Sequence, residues 1–402
     1  MQQHGTHLLD SLSLGKIVQI RERILKAQAN GKKVFRFESG DPNFSLAPHV
    51  IAALKKAADE GKTHYIPNAG IPELRNAIHK KLSEKNGIHL PSVENVFVTN
   101  GAMHALFCAF QCLLQPGDEV IVPDPMWTEV VENIKVARGT PVAVPLSEES
   151  GFQYLPAEIE KRITNKTKVI FLNTPHNPTG AVLPVATLRE IIRLAKAHGL
   201  WIVSDEAYED VIFPPQKHVS IASLAPDYQN HIVSVFSFSK SHAMSGLRTG
   251  YLTATDETLM ERLHKIMRCS INGVNSVAQW TAVAALQGDQ TYVTHMLNQY
   301  ITRRDIMIEA LTGIPGLKPF VPQGSFFVWA TLDKSIYARL GVKDADDLSN
   351  TLAELGMGSS PGDAFGQTCA DAIRFSFSCS TEMVKEGSLV LRQLLTGGRL
   401  KG

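Results

Sequence analysis

One lysine, Lys240, stands where a buried strand should end. The apolar, β-branched run from Ile232 to Phe238 predicts that strand, and a turn rich in serine and glycine follows the lysine. In open α/β sheets, ligands bind at the carboxyl ends of the strands. A lysine that is partly desolvated there has a lowered pKa and can attack a carbonyl to form a Schiff base.

Groups that suit a phosphate flank the same lysine. Ser237 and Ser239 precede Lys240 at short spacing, and Arg248 follows it by eight residues. They could hold a phosphate dianion beside the aldehyde that Lys240 attacks. The cofactor that carries both groups is pyridoxal 5′-phosphate (PLP). A lone lysine is most often an ordinary exposed residue, so these neighbours decide the interpretation.

The strings S-F-S-K (237–240) and G-L-R-T-G-Y (246–251) resemble the PLP-lysine signature of class I aminotransferases of fold type I. Further residues of that family's pattern occur in order along nearly the whole chain: Tyr65, Asn177, Asp205, Tyr208, Lys240, Arg248 and Arg374. The resemblance implies an α/β, fold-type I PLP-dependent transferase. Its large domain would hold a seven-stranded, mostly parallel sheet between helices, beside a smaller α/β domain.

The resemblance also implies how the domains divide the chain. Residues 1–48 would form an N-terminal arm and part of the small domain. Residues 49–290 would form the large PLP-binding domain, and residues 291–402 the interdomain helix and the C-terminal small domain. The N-terminal segment would therefore join the C-terminal part.

The strands that must position the chemistry can be predicted from apolar runs at 93–99, 119–122, 168–172 and 200–204, together with the run before Lys240. Helix-length amphipathic sequence separates each run from the next, which indicates parallel strands. Because the carboxyl ends of parallel strands lie at one sheet edge, the polar clusters after them should converge there.

Two of these clusters would contact the cofactor, one at its phosphate and the other at the face of its ring. The glycine turn at Gly101 opens a helix, so the backbone amides of Ala102 and Met103 form an anion site. Many members of the family read G-G-x-Q or G-S-x-Q there, whereas this chain has G-A-M-H. Trp127 stands where the family stacks an aromatic ring on the pyridine, although an isolated tryptophan is more often a core residue.

Two further clusters would act on the ring's polar atoms. Asn177, in N-P-T-G after a strand, can donate a hydrogen bond to the phenolic oxygen of the cofactor. Asp205 ends an apolar strand, where an ionised carboxylate is costly unless it is paired. Paired with the pyridine nitrogen, it would keep the ring an electron sink. Tyr208 follows closely in S-D-E-A-Y-E-D.

The remaining matches concern the substrate and a second subunit. Gly40, in S-G-D-P-N-F, would lie beside the substrate carboxylate together with Asn177, although an ordinary turn explains the same residues. Arg374, in a strand predicted over 372–378, matches the family's carboxylate-binding arginine, and guanidinium groups grip carboxylates bidentately. Tyr65 would reach the cofactor phosphate of the partner subunit in a homodimer with a shared active site.

The activity implied is transfer of the amino group of an L-amino acid to a 2-oxo acid through a Lys240 Schiff base, with Asp205 and Tyr208 assisting. An elimination or cyclisation that uses the same Cα carbanion is an alternative. A PLP-binding regulatory domain without turnover is less favoured. Such regulators carry a DNA-binding module ahead of the fold, whereas here the fold is expected to begin within about fifteen residues of Met1. A nicotinamide-binding enzyme is weaker still, because no G-x-G-x-x-G follows an early strand.

The composition of the chain argues against several other classes of function and bears on its location. Forty Lys plus Arg against thirty-nine Asp plus Glu leave a net charge of +1, which argues against a general affinity for nucleic acid or anionic membranes. No apolar run approaches the ~20 residues of a membrane span, and the N-terminus lacks a signal peptide's apolar core, so a cytoplasmic location is expected. The five cysteines have neither metal-ligand nor disulfide spacing.

The sequence also bears on side-chain preference. Met103 occupies a position where some aspartate-specific members of the family place a cation, and no second arginine is obvious for a distal carboxylate. We therefore expect that dicarboxylates are not the best substrates, with neutral, aromatic or basic amino acids left open.

Overall fold

The computed structural model describes residues 8–13 and 15–400. In chain order its helices are α1 Lys16–Ala29, α2 Pro48–Asp59, α3 Pro72–Lys81, α4 Gly101–Leu113, α5 Thr128–Val136, α6 Pro156–Glu160, α7 Val185–His198, α8 Phe238–Ser241, α9 Glu257–Ser270, α10 Ser276–Gln287, α11 Thr291–Leu311, α12 Lys334–Leu340, α13 Ala345–Glu354 and α14 Thr381–Thr396. Its strands are β1 Val96–Thr99, β2 Glu119–Asp124, β3 Thr140–Pro145, β4 Thr167–Asn173, β5 Trp201–Asp205, β6 Ile232–Ser237, β7 Gly250–Thr253, β8 Leu317–Pro319, β9 Phe327–Leu332, β10 Ser360–Pro361 and β11 Ala372–Ser376.

Over the described residues the larger sheet has seven strands in the order β1-β7-β6-β5-β4-β2-β3. Neighbours from β6 across to β3 pair in parallel, and β7 runs antiparallel to both β6 and β1. This confirms the predicted seven-stranded, mostly parallel sheet. It also brings the carboxyl ends of β4, β5 and β6 side by side at one edge.

The sheet is covered on both faces because its strands are apolar on both sides. In β4, Ile170 and Leu172 pack into one buried cluster, while Val169 and Phe171 pack into another. Side chains alternate between the two faces of a strand, so a strand that buries both sets reads as a continuous apolar run. Helices supply the other half of each cluster, for example Leu188 from α7 in the first and Leu106 from α4 in the second.

A second, antiparallel sheet in the order β10-β11-β9-β8 has its own buried core. The N-terminal segment contacts this part of the chain: Phe35 forms a bridge with Met357, and Ile20 and Ile24 of α1 pack on Ala353 of α13. The domain boundaries at residues 48 and 290 stay a prediction.

Several boundaries differ from the sequence expectation for local reasons. Val93–Asn95 form a 3₁₀ turn, not strand, because Ser92 caps it by accepting a hydrogen bond from the Glu94 amide. β6 ends at Ser237, and Lys240 lies in the single-turn helix α8 rather than in an open loop. β11 ends at Ser376, two residues early. Among the described helices, none is long and apolar enough to cross a bilayer.

Candidate active site

A cavity of about 440 Å³ opens at the carboxyl ends of β4, β5 and β6. Its volume lies in the range of small-molecule sites. Of the candidate residues from the sequence, those that line it are Gly40, Ala102, Met103, Trp127, Asn177, Asp205, Tyr208, Ser237, Ser239, Lys240, Arg248 and Arg374. Residues more than 300 positions apart in the chain therefore face one volume.

Lys240 projects from α8, and a hydrogen bond caps the N-terminus of this short helix. Ser237 caps this helix by accepting a hydrogen bond from the Ser239 amide at 3.1 Å. The Lys240 Nζ donates to the carbonyl oxygen of Gly40 at 2.6 Å. Burial lowers the pKa of Lys240 to about 8, and the charges of Arg248 and Arg374 act in the same direction. An amine with that pKa is partly neutral near pH 8 and can act as nucleophile or base.

Asp205 ends β5 with its carboxylate buried, at 4% exposure. The Ala207 amide donates to its Oδ1 at 3.0 Å. Burial raises the pKa of Asp205 to about 7, since removal from water disfavours the ionised form, while the Lys240 charge opposes the shift. A cationic ring nitrogen beside it would restore the ionised state.

Replacing Asp205 by Asn gives a prediction about the PLP-free protein. The folded carboxyl keeps its proton to about pH 7, whereas the unfolded one loses it near the ordinary pKa of 3.8. Between these values the folded chain binds more protons, so the stability that Asp205 contributes falls as the pH rises through this window. We expect PLP-free Asp205→Asn to be more stable than wild type at pH 8 by on the order of 1 kcal/mol or more, with a smaller gap at pH 5.

Urea unfolding of both PLP-free proteins at pH 5 and pH 8 measures this difference. Asn keeps an oxygen for the Ala207 amide, so the comparison isolates the charge. Asp227→Asn serves as control, because that carboxylate is exposed and paired with Lys196 at 2.6 Å. A gap of equal size at the two pH values would contradict the expectation.

The phosphate end of the cavity is built from glycines and a helix N-terminus. The amides of the first turn of α4 have no partner inside the helix and face an anion favourably. At Gly101, with φ +80°, an added Cβ would lie 2.6 Å from the Arg248 guanidinium. At Gly250 it would lie 2.7 Å from the Ala102 amide nitrogen. A side chain at either position would fill this cradle, so both glycines are required for the anion site.

Arg374 is buried at the other end of the cavity, at 3% exposure. Its Nη1 donates to Asn177 Oδ1 at 2.9 Å, and its Nη2 donates to the Glu38 carbonyl at 3.0 Å. Its guanidinium lies 4.1 Å from the centre of the Phe327 ring. Burial lowers the pKa of Arg374 to about 10. Its Nε is buried without a hydrogen-bond partner, which leaves a donor for a ligand carboxylate.

Hydrogen bonds fix the positions of the neighbouring polar groups. Asn173, the last residue of β4, accepts from the Asn177 amide at 2.8 Å and donates to the Asp205 carbonyl at 3.1 Å. Tyr208 is buried, and its ring packs edge-on against Phe326 and Phe327. Burial raises the pKa of the Tyr208 hydroxyl, so this group stays protonated.

Tyr65 is the one candidate that does not line this cavity within the described part of the chain. It is 93% exposed and borders a separate depression with Asn272 and Gly273. An aromatic side chain that exposed on a single chain is available for contact with a second one.

Sequence reasoning missed several cavity-lining residues: Ile17, Val18, Arg21, Glu38, Glu129, Asn173, Ala207 and Phe327. Asn173 could have been found, because it is a polar residue at a strand end like Asp205. Glu129 follows Trp127 by two residues, and that spacing was also visible. The three residues of α1 carry no local signal, since they reach the cavity only through the packing of α1 on the rest of the fold.

The residues present fit PLP. A glycine cradle with Arg248 suits a phosphate, the lowered pKa of Lys240 suits an aldehyde, and Asp205 suits a ring nitrogen. The described residues hold no group of His, Cys, Asp and Glu arranged for a metal ion.

Comparison with known proteins identifies the family of this chain. The family model described as aminotransferase class I and II matches residues 32–388. An aspartate aminotransferase of Geobacillus stearothermophilus is 35% identical over 376 residues, covering 93% of this chain and 94% of that protein. A probable aspartate/prephenate aminotransferase of Aquifex aeolicus is 35% identical, with 97% of each chain covered.

Solved structures extend the similarity to three dimensions. The aspartate aminotransferase of Thermus thermophilus, solved with maleate, superposes with a TM-score of 0.90 at 31% identity, covering 98% of this chain and 100% of that one. Because the family model and the relatives both span nearly the whole sequence, the protein belongs to the class I and II aminotransferases and transfers amino groups with PLP.

Proposed function

We propose that Lys240, Asp205 and Arg374 carry the transfer of an amino group from an L-amino acid to a 2-oxo acid. The observation that carries this proposal is that all three line one cavity although they come from different parts of the fold. Each has a property that its task needs: a lowered lysine pKa, a buried strand-end carboxylate and an arginine with an unpartnered buried Nε.

When bound, PLP supplies an aldehyde that combines with amines and a ring that withdraws electrons from the substrate Cα. Arg374 binds the α-carboxylate and fixes the substrate, with Asn177 holding the guanidinium in place at 2.9 Å. Lys240 would remove the Cα proton as a general base and would later donate a proton as a general acid. Asp205 keeps the ring nitrogen protonated by staying ionised against it.

Apolar side chains form part of the wall of the same cavity, and a substrate that packs against them would displace water from the reacting groups. Ile17 and Val18 of α1, Trp127 and Phe327 line the same cavity as the reacting groups. In a site that excludes water, interactions between charges and dipoles are stronger than at an exposed surface.

The test is a half-reaction with the PLP-loaded protein. One amino acid at a time is added, and the 2-oxo acid released is measured together with the absorbance of the cofactor. If the protein transfers amino groups, each active site should release one equivalent of 2-oxo acid. Adding a second 2-oxo acid should then restore the original absorbance spectrum of the cofactor. Release of free ammonia with recovery of the cofactor in one step would instead indicate elimination.

We also propose a homodimer in which Tyr65 of one protomer contacts the phosphate bound by Arg248 and Ser237 of its partner. The support is the 93% exposure of Tyr65 and the exposure of Arg248 on the single chain. A phosphate dianion needs several donors, and a second subunit can supply a further hydroxyl. A location in the cytoplasm stays a prediction from the sequence.

Hybrid dimers test the shared site. Tyr65→Phe should weaken PLP retention without unfolding the protein, because its side chain makes little contact within its own chain. At limiting PLP, mixing inactive Lys240→Ala chains with Tyr65→Phe chains gives hybrids in which one site carries both changes and the other carries neither. Activity above that of either parent is expected, whereas no gain on mixing would place Tyr65 in its own chain's site.

A further inference from the structure

The charges that line the cavity are not all used by the proposed mechanism. Lys240, Asp205, Arg248 and Arg374 have tasks there, and the Glu38 carboxylate is paired with Arg36. Among the described lining residues, this leaves the carboxylate of Glu129 and the guanidinium of Arg21. Arg21 is exposed on α1, where solvent and salt weaken its field, whereas Glu129 is half-buried. The half-buried charged residue of the cavity that has no task in the mechanism is therefore an acidic one, Glu129.

Among the described residues, Glu129 forms no direct ion pair with a cationic side chain. It lies in the first turn of α5, and its carboxylate hydrogen-bonds only its own amide and the Thr128 hydroxyl, the latter at 3.5 Å. Glu132, one turn further, is paired with Lys135 at 3.0 Å. Burial raises the pKa of Glu129, and the charge of Arg374, which lines the same cavity, opposes that shift.

This position affects which substrates can bind. When a substrate places its α-carboxylate on Arg374, a second anion comes close to Glu129, and like charges in a partly desolvated site repel. A dicarboxylate would bring a third. A substrate with a cation at the end of its side chain would instead neutralise Glu129 and form a charge-assisted hydrogen bond with it.

The other walls of this space suit the stem of such a side chain. Ile17, Val18, Met103 and Trp127 line the same cavity and carry no charge. Basic amino acids have an apolar chain of methylenes that packs on apolar surface while the charged end finds a polar partner.

We propose that Glu129 binds the positively charged end of the substrate side chain, so that the preferred amino donors end in an ammonium or a guanidinium group. This inference rests on the proposed function, because Arg374 must hold the α-carboxylate for the side chain to reach Glu129. It makes Glu129 a specificity-determining residue of the amino-acid half-reaction.

Equilibrium binding gives a test that needs no turnover. The ligand 5-guanidinopentanoate has a carboxylate for Arg374 and a guanidinium for Glu129, and it has no amine to react with the cofactor; pentanoate lacks only the cation. With the PLP-loaded protein at pH 8, calorimetry should show the guanidino ligand binding at least about tenfold more tightly than pentanoate. In Glu129→Gln that preference should vanish.

Kinetics give a second test. For ornithine and arginine, Glu129→Gln should lower kcat/KM at least about tenfold, while norleucine changes by less than about threefold and glutamate improves. Glu132→Gln makes the same chemical change one helical turn away, outside the cavity, and should leave the order of substrates unaltered.

The outcomes separate this inference from the function on which it rests. If no amino acid converts the cofactor, the proposed function fails. Three results would leave the function standing and show that a charge-binding role for Glu129 is wrong. Glutamate could be the best amino donor, or the neutral amino acid glutamine could be as good a donor as ornithine. In the third, Glu129→Gln would lower kcat/KM equally for norleucine and ornithine.

Discussion

Replacing Lys240 by Ala should abolish turnover, with a loss on the order of 10⁴-fold or more. The substitution would remove both the amine proposed to bind the cofactor and the base proposed to move the Cα proton. No other lysine lines the cavity in the described part of the chain. The replacement should not unfold the protein, because within the described part of the chain the Lys240 Nζ makes a single hydrogen bond, to the Gly40 carbonyl.

Two measurements check this role. Borohydride reduction of the PLP-loaded protein followed by peptide mapping should place the pyridoxyl group on Lys240. Adding a small primary amine to Lys240→Ala should restore part of the activity, since the amine can enter the space that the side chain leaves. Lys135→Ala, at a partly exposed lysine of α5 that does not line the cavity, should retain activity. A label on another lysine, or turnover by Lys240→Ala without added amine, would refute the assignment.

The part of the site that could be predicted lies in short, contiguous motifs at strand ends. Lys240 and Asp205 each follow a mostly apolar run, and a polar residue after such a run is placed at or near the sheet edge by the strand itself. Arg248 could be predicted to lie near Lys240 because it is eight residues further along the chain. The convergence of these residues needs only parallel strands, which the helix-length connections already indicate.

The part that could not be predicted depends on packing between distant segments. Arg21, Ile17 and Val18 reach the cavity because Ile20 and Ile24 of the same helix pack on Ala353 of α13. That pairing joins residues more than 300 positions apart, and amphipathic periodicity shows only that α1 has a buried face. The partner of that face is set by the whole fold.

Glu129 was missed for a different reason. Its position after Trp127 was visible, but an acidic residue in the first turn of a helix is expected for the helix dipole alone. Only the structure shows that Glu129 lines the cavity while Glu132 pairs with Lys135. The direction in which a side chain points at the start of a helix depends on how that helix packs on the rest of the fold. Helix packing of this kind cannot be predicted from the local sequence.

Arg374→Lys should lower kcat/KM by more than about tenfold and leave the cofactor absorbance intact. The guanidinium makes several directed contacts at once: Nη1 donates to Asn177 Oδ1 at 2.9 Å, and Nη2 donates to the Glu38 carbonyl at 3.0 Å and to Ser360 Oγ at 3.2 Å. Its buried Nε is left for a ligand. An ammonium keeps the charge but has no planar fork, so it cannot satisfy these acceptors and a carboxylate together.

Loss of a buried charge partner costs roughly 2–5 kcal/mol, and a lysine that retains part of the interaction should fall at the lower end of that range. The proposed phosphate site lies at the opposite end of the cavity, near Gly101 and Arg248, so PLP should remain bound. Arg193→Lys, on the exposed face of α7, is the matched control.

The sharpest measurement compares an amino acid with the amine that lacks its α-carboxylate. Wild type should discriminate strongly between the two because only the amino acid can engage Arg374. In Arg374→Lys the ratio of their kcat/KM values should shrink, since the amine never used the guanidinium and loses little when it is removed. An unchanged ratio, or wild-type kinetics with the amino acid, would show that the α-carboxylate binds elsewhere.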